Sequence, residues 1–324
     1  MDAIRIARAD TGRDHIVKIF GSCHGHHDYV MVDVSELSEF VSDPKVRGPK
    51  DNYRSMPYGA GIPQAVVEMT AAVPFNDAES MERRIDRMTA EGNPPACVIM
   101  EAATMNCGVV LPEPGYLEAV RDITASRGVV LIFDEVKTGL CSAAGDATER
   151  FGVKPDMVTV AKGLGGGLPA GAIGGSEEVF SVVEDESVWQ VGIYNGSPLV
   201  MAAARASLQE VLAPDAYEHV EKVNQHILDG YQAIIDEHWF PGYTVGIGSK
   251  GQIILGEGRI VDYETFLWNQ DAELTELAWI WRMNRGILVP PGRDQEYTLS
   301  VTHTFENADR YVEVFGELAE ELTA

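Results

Sequence analysis

The sequence is poor in basic residues, poor in cysteine and free of long apolar runs. Lys and Arg number 25 against 50 Asp and Glu, which gives a net charge of −25. A field of that sign repels phosphate backbones, so we expect no nucleic-acid partner. The four cysteines form no CxxC pair, which favours a reduced, cytoplasmic protein. No stretch approaches the roughly 20 apolar residues of a membrane helix, and charges among the first eight residues argue against a signal peptide.

An alternation of short β-rich runs with helical patterns fills the first two-thirds of the chain. This alternation is typical of a parallel sheet covered by helices, and it predicts an α/β fold. Candidate strands lie at 16–20, 96–101, 129–133, 157–160 and 170–174. A helix is predicted after Pro112 and Pro114, because Leu117, Val120 and Ile123 follow helical spacing.

From about residue 214 the pattern changes to longer helices between short strands. Helices are predicted near 217–235, 272–285 and 307–322, and strands near 243–247, 252–255, 287–289 and 298–301. We therefore predict a large domain over residues 1–213 and a small C-terminal α+β domain over residues 214–324. Residues 44–76 are rich in proline and glycine with little periodicity, and they indicate a long excursion or active-site loop.

The densest chemical signal lies between residues 129 and 175. One apolar run leads to Asp134, and another leads to Lys162 and a glycine-rich turn. Ligands bind at the carboxyl ends of strands in such sheets, so an acid and a lysine should face one crevice. The lysine precedes the glycines, which excludes a Walker loop. This pair suits pyridoxal phosphate (PLP), although a strand-end cap beside a solvated lysine explains the residue types equally well.

The residues around this pair resemble the signature of class III aminotransferases. The matching runs are residues 132–139 (IFDEVKTG) and 162–175 (KGLGGGLPAGAIGG). Further residues resemble family segments in the same order: 3–13, 21–28 (GSCHGHHD), Glu101 with Asn106 and Gly108, 192–198, Pro290-Pro291 and 300–304. Within the family, the sequence is most similar to the glutamate-1-semialdehyde aminomutase-like members and their aminotransferase relatives.

This resemblance implies a fold-type I PLP-dependent enzyme that acts on small amino donors and acceptors as a homodimer. It implies Lys162 as the Schiff-base lysine, Asp134 as the partner of the pyridinium nitrogen, and Glu101 beside cofactor and substrate. These three are the catalytic candidates. The other implied cofactor contacts are Val136, Cys23, His24, Asn106, Gly192 and Ile193.

Three departures from the family pattern bear on activity. The sequence begins at Met1, just after the place where the family carries a Ser-Gly-Thr phosphate-binding turn, so we expect that an N-terminal part is missing. Cys23 replaces an aromatic residue that stacks on the ring, and a thiol lacks that contact area. Ile193 replaces a threonine whose hydroxyl reaches the partner subunit's phosphate, and isoleucine has no donor to offer.

Three functions follow as alternatives. The first is a transaminase with a separate amino acceptor. The second is an aminomutase, which moves an amine within one molecule and needs a lid, for which residues 44–76 are the candidate. The third is a non-catalytic homologue that pairs with a complete relative.

A metal site and a substrate-binding arginine are weaker hypotheses. His24, His26, His27 and Asp28 could bind zinc, but ligands so close in sequence seldom all face one ion. A polar loop over a cofactor is therefore the preferred interpretation, and we predict no metal. Arg293 is a weak candidate for holding a substrate carboxylate.

Overall fold

A six-stranded sheet organises the N-terminal part of the chain in a computed structural model, which describes residues 1–34 and 44–324. The strands are β1 His15–Ile19, β2 Thr70–Val73, β3 Pro95–Met100, β4 Val130–Asp134, β5 Met157–Ala161 and β6 Gly171–Gly175. Their order is β2-β1-β3-β4-β5-β6. The first five are parallel and β6 runs antiparallel to β5. The predicted α/β class with a mostly parallel sheet is therefore confirmed.

The central strands β3 and β4 are buried along their whole length, as expected where helices cover both faces of a parallel sheet. The helices of this part are α1 Asp2–Thr11, α2 Pro44–Arg47, α3 Gln64–Glu68, α4 Ala78–Ala90, α5 Tyr116–Ser126, α6 Asp146–Phe151, α7 Glu177–Glu184 and α8 Pro198–Ala206. Apolar side chains of α4 and α5 pack on one face of the sheet, and those of α1 and α7 pack on the other. The predicted helix after Pro114 is α5.

The C-terminal part forms a small α+β domain around a three-stranded antiparallel sheet. Its strands are β7 Gly242–Ile247, β8 Lys250–Leu255 and β9 Tyr297–Thr298, and its helices are α9 Pro214–His238, α10 Tyr263–Asn269, α11 Ala272–Met283 and α12 Phe305–Thr323. Asp262 and Thr304 cap α10 and α12 with capping boxes, which satisfy backbone donors at the helix starts. The division at residues 213 and 214 stays a prediction. Among the described residues, no helix combines the length and apolarity needed to cross a membrane.

Three expectations about secondary structure were wrong. Residues 287–289 form no strand, since they lead directly into Pro290 and Pro291, which cannot donate to a ladder. The last strand covers 297–298 rather than 298–301. Residues 44–76 are not one irregular excursion, because they contain α2, α3 and the buried strand β2. Two of the four residues of β2 are alanine, a weak strand former, which hid it in the sequence.

Lys18 anchors the loop that follows β1. Its side chain is fully buried in the middle of that strand, and its Nζ donates to the carbonyl oxygens of Ser22 and Val32 at 2.7 Å each. Burial lowers the pKa of Lys18 to about 8, so the group is still an ammonium at neutral pH. It thereby ties both ends of the loop from residue 21 to residue 34 to the sheet.

We predict that Lys18→Met lowers the free energy of unfolding by roughly 2–4 kcal/mol, because buried carbonyl oxygens lose their donor. Chemical denaturation measures this change. Lys154→Met, at an exposed lysine, is the matched control and should stay within about 0.5 kcal/mol of the parent. Equal unfolding midpoints for the two variants would show that the loop does not depend on the ammonium.

Candidate active site

A cavity of about 1010 Å³ lies at the carboxyl ends of four strands of the large sheet. The loop after β1 brings Cys23 and His24 to it, and β3 leads into Glu101. Strand β4 ends at Asp134, and Lys162 follows β5 directly. In the strand order, β2 lies on one side of β1 and β3 on the other. A topological switch point of this kind is where open α/β sheets bind their ligands.

Asp134 is a buried carboxylate held by three donors. His24 Nδ1 lies 2.7 Å from Asp134 Oδ2, while Val136 N–H and Thr159 Oγ1 each donate to Oδ1 at 3.0 Å. The register of β4 against β5 places Thr159 beside Asp134. Burial by itself would raise the pKa of Asp134, but the hydrogen bond from His24 together with the other two donors holds that pKa below its usual value. Asp134 is therefore ionised.

His24 is buried and neutral. Burial lowers the pKa of His24, and the neighbouring Asp134 offsets only part of that effect. A neutral imidazole next to an ionised carboxylate carries its proton on the nitrogen that faces the carboxylate, which is Nδ1. The other nitrogen, Nε2, lies 2.9 Å from Ser22 Oγ. His24 thus orients the carboxylate without adding a charge to the cavity.

Lys162 occupies an unusual backbone position. Its φ is +49°, a left-handed conformation that costs energy for any residue with a Cβ and that clusters at functional sites. Gly166 and Gly167 also have positive φ, so the chain can turn sharply just after the lysine. Ser207 Oγ donates to the Gly163 carbonyl at 3.1 Å and fastens this turn to the following helical segment.

Glu101 is a buried carboxyl on the wall of the cavity. Its Oε2 accepts hydrogen bonds from Asn106 Nδ2 at 2.9 Å and from Met105 N–H at 3.3 Å. Burial, and next the charge of Asp134, raise the pKa of Glu101 to about 8. At neutral pH the group is therefore mostly a protonated acid that can donate a hydrogen bond into the cavity.

A charge cluster behind this wall joins the two domains, and sequence reasoning missed it. Lys137 Nζ lies 2.6 Å from Glu296 Oε1 and 3.7 Å from Asp294 Oδ2, and it donates to the Met105 carbonyl. Asp294 in turn accepts from Gly108 N–H at 3.1 Å. The loop that carries Glu101 is therefore held against the small domain. No short sequence pattern links residues this far apart.

The structure brings most of the predicted site residues together. Those lining the cavity are Cys23, His24, Glu101, Asn106, Asp134, Val136 and Lys162. Gly192 and Ile193 lie outside it, and the Ile193 side chain is 96% exposed. The neighbouring residues 194–197 do line the cavity. The predicted contact of Gly192 and Ile193 is with the partner subunit's cofactor, and it stays a prediction.

Two weaker hypotheses, a metal site and a substrate-binding Arg293, find no support among the described residues. Among the described residues, no three potential ligands gather as a metal site requires, and His24 already bonds to Asp134. Arg293 lies away from the cavity, because its Nη2 donates to the carbonyl oxygens of Leu267 and Gln270. Within residues 44–76, no residue lines the cavity, and the lid stays a prediction.

Comparison with known proteins finds a matching family model and relatives that align with nearly the whole chain. A family model described as aminotransferase class-III matches residues 1–255. A glutamate-1-semialdehyde 2,1-aminomutase 2 of Brevibacillus brevis is 34% identical over 314 residues, covering 97% of this chain and 69% of the relative. The aminomutase of Methanocaldococcus jannaschii is 33% identical over 324 residues, covering 99% and 72% respectively.

Solved structures show the same fold. An omega-transaminase from Sphaerobacter thermophilus matches with a TM-score of 0.88 and 29% identity, covering 99% of this chain and 72% of that one. A glutamate-1-semialdehyde-aminomutase from Pseudomonas aeruginosa PAO1 matches with a TM-score of 0.81 and 23% identity, covering 99% and 69%. The second similarity concerns the fold alone.

The mostly parallel sheet, with a buried carboxylate and a lysine at one cavity, defines a PLP-dependent enzyme of fold type I. The chain belongs to the class III aminotransferase family. Its cofactor is pyridoxal 5'-phosphate, and its substrates are small molecules. The resemblance noted in the sequence is confirmed.

The residues present fit this cofactor. Asp134 is ionised and faces the cavity, and its Oδ2, with one bond from His24, has a lone pair left for a further donor. Among the described residues, none makes a hydrogen bond or ion pair with the Lys162 side chain, and that side chain borders the same cavity. Lys162 and Asp134 are therefore the residues that would hold the cofactor.

We predict that Glu101→Gln changes how stability depends on pH. The folded-state pKa of Glu101, about 8, lies above its ordinary value of 4.5. The folded protein therefore keeps a proton that the unfolded chain releases. The stability that protonated Glu101 contributes is fully present below pH 4.5 and is lost as the pH rises through 8. Relative to the variant, the parent should lose up to about 1.4 kcal/mol of unfolding free energy per pH unit in this range.

Denaturant unfolding at several pH values measures this difference. Glu276→Gln, which removes an exposed carboxyl of α11, is the control and should run parallel to the parent. A Glu101→Gln curve that also runs parallel to the parent would show that Glu101 is ionised in the folded protein.

Proposed function

We propose that this chain is a PLP-dependent transaminase that uses Lys162 as the covalent anchor of its cofactor and as its catalytic base. The observation that carries the proposal is the placement of Lys162 and the ionised Asp134 at adjacent strand ends of one cavity. When bound, PLP supplies an aldehyde for amine exchange and a ring that withdraws electrons from the substrate carbon.

Each residue has a distinct task in this proposal. Asp134 keeps a proton on the pyridine nitrogen, because a neighbouring negative charge favours the protonated ring. His24 keeps Asp134 oriented and ionised. The Lys162 amine would hold the cofactor and, when free, would accept the proton from the substrate carbon. Protonated Glu101 donates a hydrogen bond toward the substrate.

Two alternatives stay in view. The curated relatives at 33–34% identity carry the name of an aminomutase, so intramolecular amine transfer is the second candidate. The transaminase is the first candidate because the matching family model is that of the class III aminotransferases. The substitutions at Cys23 and Ile193 motivate the third candidate, a non-catalytic homologue.

We propose further that the protein is a homodimer, and that its location is the cytoplasm. An apolar surface between residues 189 and 211 supports the dimer. Its exposed side chains are Trp189, Val191, Ile193, Tyr194, Leu199, Met201, Leu208 and Val211. Many exposed apolar side chains within one segment favour a protein–protein contact. The family resemblance implies that such a contact would bring Ile193 of each copy to the other copy's cofactor.

The test of the cofactor role is an absorbance spectrum of the purified chain with added PLP. We predict a band near the visible edge that is absent from Lys162→Ala, because only the lysine amine can bond to the aldehyde at this position. Lys154→Ala, at an exposed lysine, should keep the band. A folded parent chain without the band would favour the non-catalytic homologue.

The test of the dimer is analytical ultracentrifugation of Leu199→Glu. Leu199 is 69% exposed in one copy, and a symmetric dimer would bury two uncompensated carboxylates, each costing about 3 kcal/mol. We predict a monomer at concentrations where the parent is a dimer. Leu322→Glu, at an exposed leucine outside this surface, should leave the dimer intact. A monomeric parent, or an unchanged Leu199→Glu dimer, would refute this interface.

A further inference from the structure

A second cavity meets the first one at the catalytic lysine. It has a volume of about 660 Å³ and lies between the two domains, bordered by segments 136–150, 207–221, 248–250 and 298–301. Val136, Lys137 and Lys162 line both cavities. The two cavities are therefore adjacent at Lys162. A group carried by a substrate amine that lies beside Lys162 would extend either toward Asp134 or into this second cavity.

The walls of the second cavity are largely apolar. Leu140, Val211, Leu212, Val220, Leu299 and Val301 are among the lining residues. They come from both domains, since helix α9 supplies Val220 and the segment after β9 supplies Leu299 and Val301. The space is large enough for a phenyl or branched alkyl group and falls within the usual range for small-molecule sites.

The charged residues that line this cavity already have partners, apart from Lys162. These pairs are Arg150 with Glu221 at 2.7 Å, Glu149 with the Gly145 N–H at 2.7 Å, Lys250 with Thr298 Oγ1 at 2.7 Å, and Lys137 with Glu296 at 2.6 Å. A carboxylate entering this space would compete with those partners and lose its hydration. An apolar group would lose only unfavourable contact with water.

We infer that the second cavity receives an apolar substituent of a primary-amine substrate. This inference rests on the transaminase proposal and adds to it the class of substrate. The substrate amine would lie beside Lys162, where the cofactor would supply the aldehyde that reacts with it, and the apolar group would lie between the domains, against α9 and the residues after β9. Affinity for such amines then grows with the apolar area that enters the cavity.

Ala216→Trp fills the space without touching the catalytic residues. Ala216 is half-buried in the first turn of α9 and lines the second cavity but not the first. Ala233→Trp is the matched control, since it adds the same side chain to an exposed position of the same helix, where it borders neither cavity.

The first readout is calorimetric binding of 4-phenylbutylamine to the cofactor-free chain. The parent and Ala233→Trp should bind it equally, and Ala216→Trp should bind it at least roughly tenfold more weakly, because the apolar group is excluded. No binding by the parent, equal binding by Ala216→Trp, or equal weakening by Ala233→Trp would each overturn the inference.

The second readout uses the PLP-loaded chain. The rate at which 4-phenylbutylamine consumes the Lys162-dependent absorbance band is compared with the rate for propylamine. Ala216→Trp should lower the ratio of these rates roughly tenfold; an unchanged ratio contradicts the inference. The two failures are distinguishable, since a chain without the band refutes the transaminase proposal while the calorimetry still decides whether the cavity takes the apolar group.

Discussion

The hydrogen bond between His24 and Asp134 is the contact on which the site depends. It joins the loop after β1 to the end of β4, two strands that are separated by β3. Without it, burial would favour the protonated carboxyl, and Asp134 could not stabilise a positive ring nitrogen. The loop can supply His24 because Lys18 fixes its two ends from inside the sheet. The buried ammonium of Lys18 thus positions the loop that carries His24, and His24 keeps the Asp134 carboxylate charged.

The sequence predicted the parts of this arrangement that depend on local pattern. Apolar runs marked the central strands, and the residues just after them, Asp134 and Lys162, followed from the rule that such sheets present strand ends to one crevice. Glu101 and Asn106 came from the family resemblance, and the structure places both on the cavity wall. Their roles in chemistry are still predictions, because position alone does not test them.

What escaped prediction was set by contacts between distant segments. In the local sequence, Lys137 is one more charged residue in a loop, yet it forms an ion pair with Glu296, 159 residues further along the chain. Pairing of that kind depends on how the small domain packs against the sheet, which neither periodicity nor turn chemistry encodes. The apolar run at 287–289 forms no strand, because the prolines that follow it cannot donate to a neighbouring strand.

The position of Lys162 between two unlike cavities follows from these distant contacts. On one side are Asp134 and Glu101, which hold charge and protons; on the other are apolar walls whose charged residues are already paired. Lys137 borders both cavities, and its ion pair with Glu296 neutralises its charge there. An unpaired Lys137 would add a second cation beside Lys162 at that boundary and would attract carboxylates into the apolar side. The same interdomain pair that fixes the wall of the first cavity therefore keeps the second one suited to apolar groups.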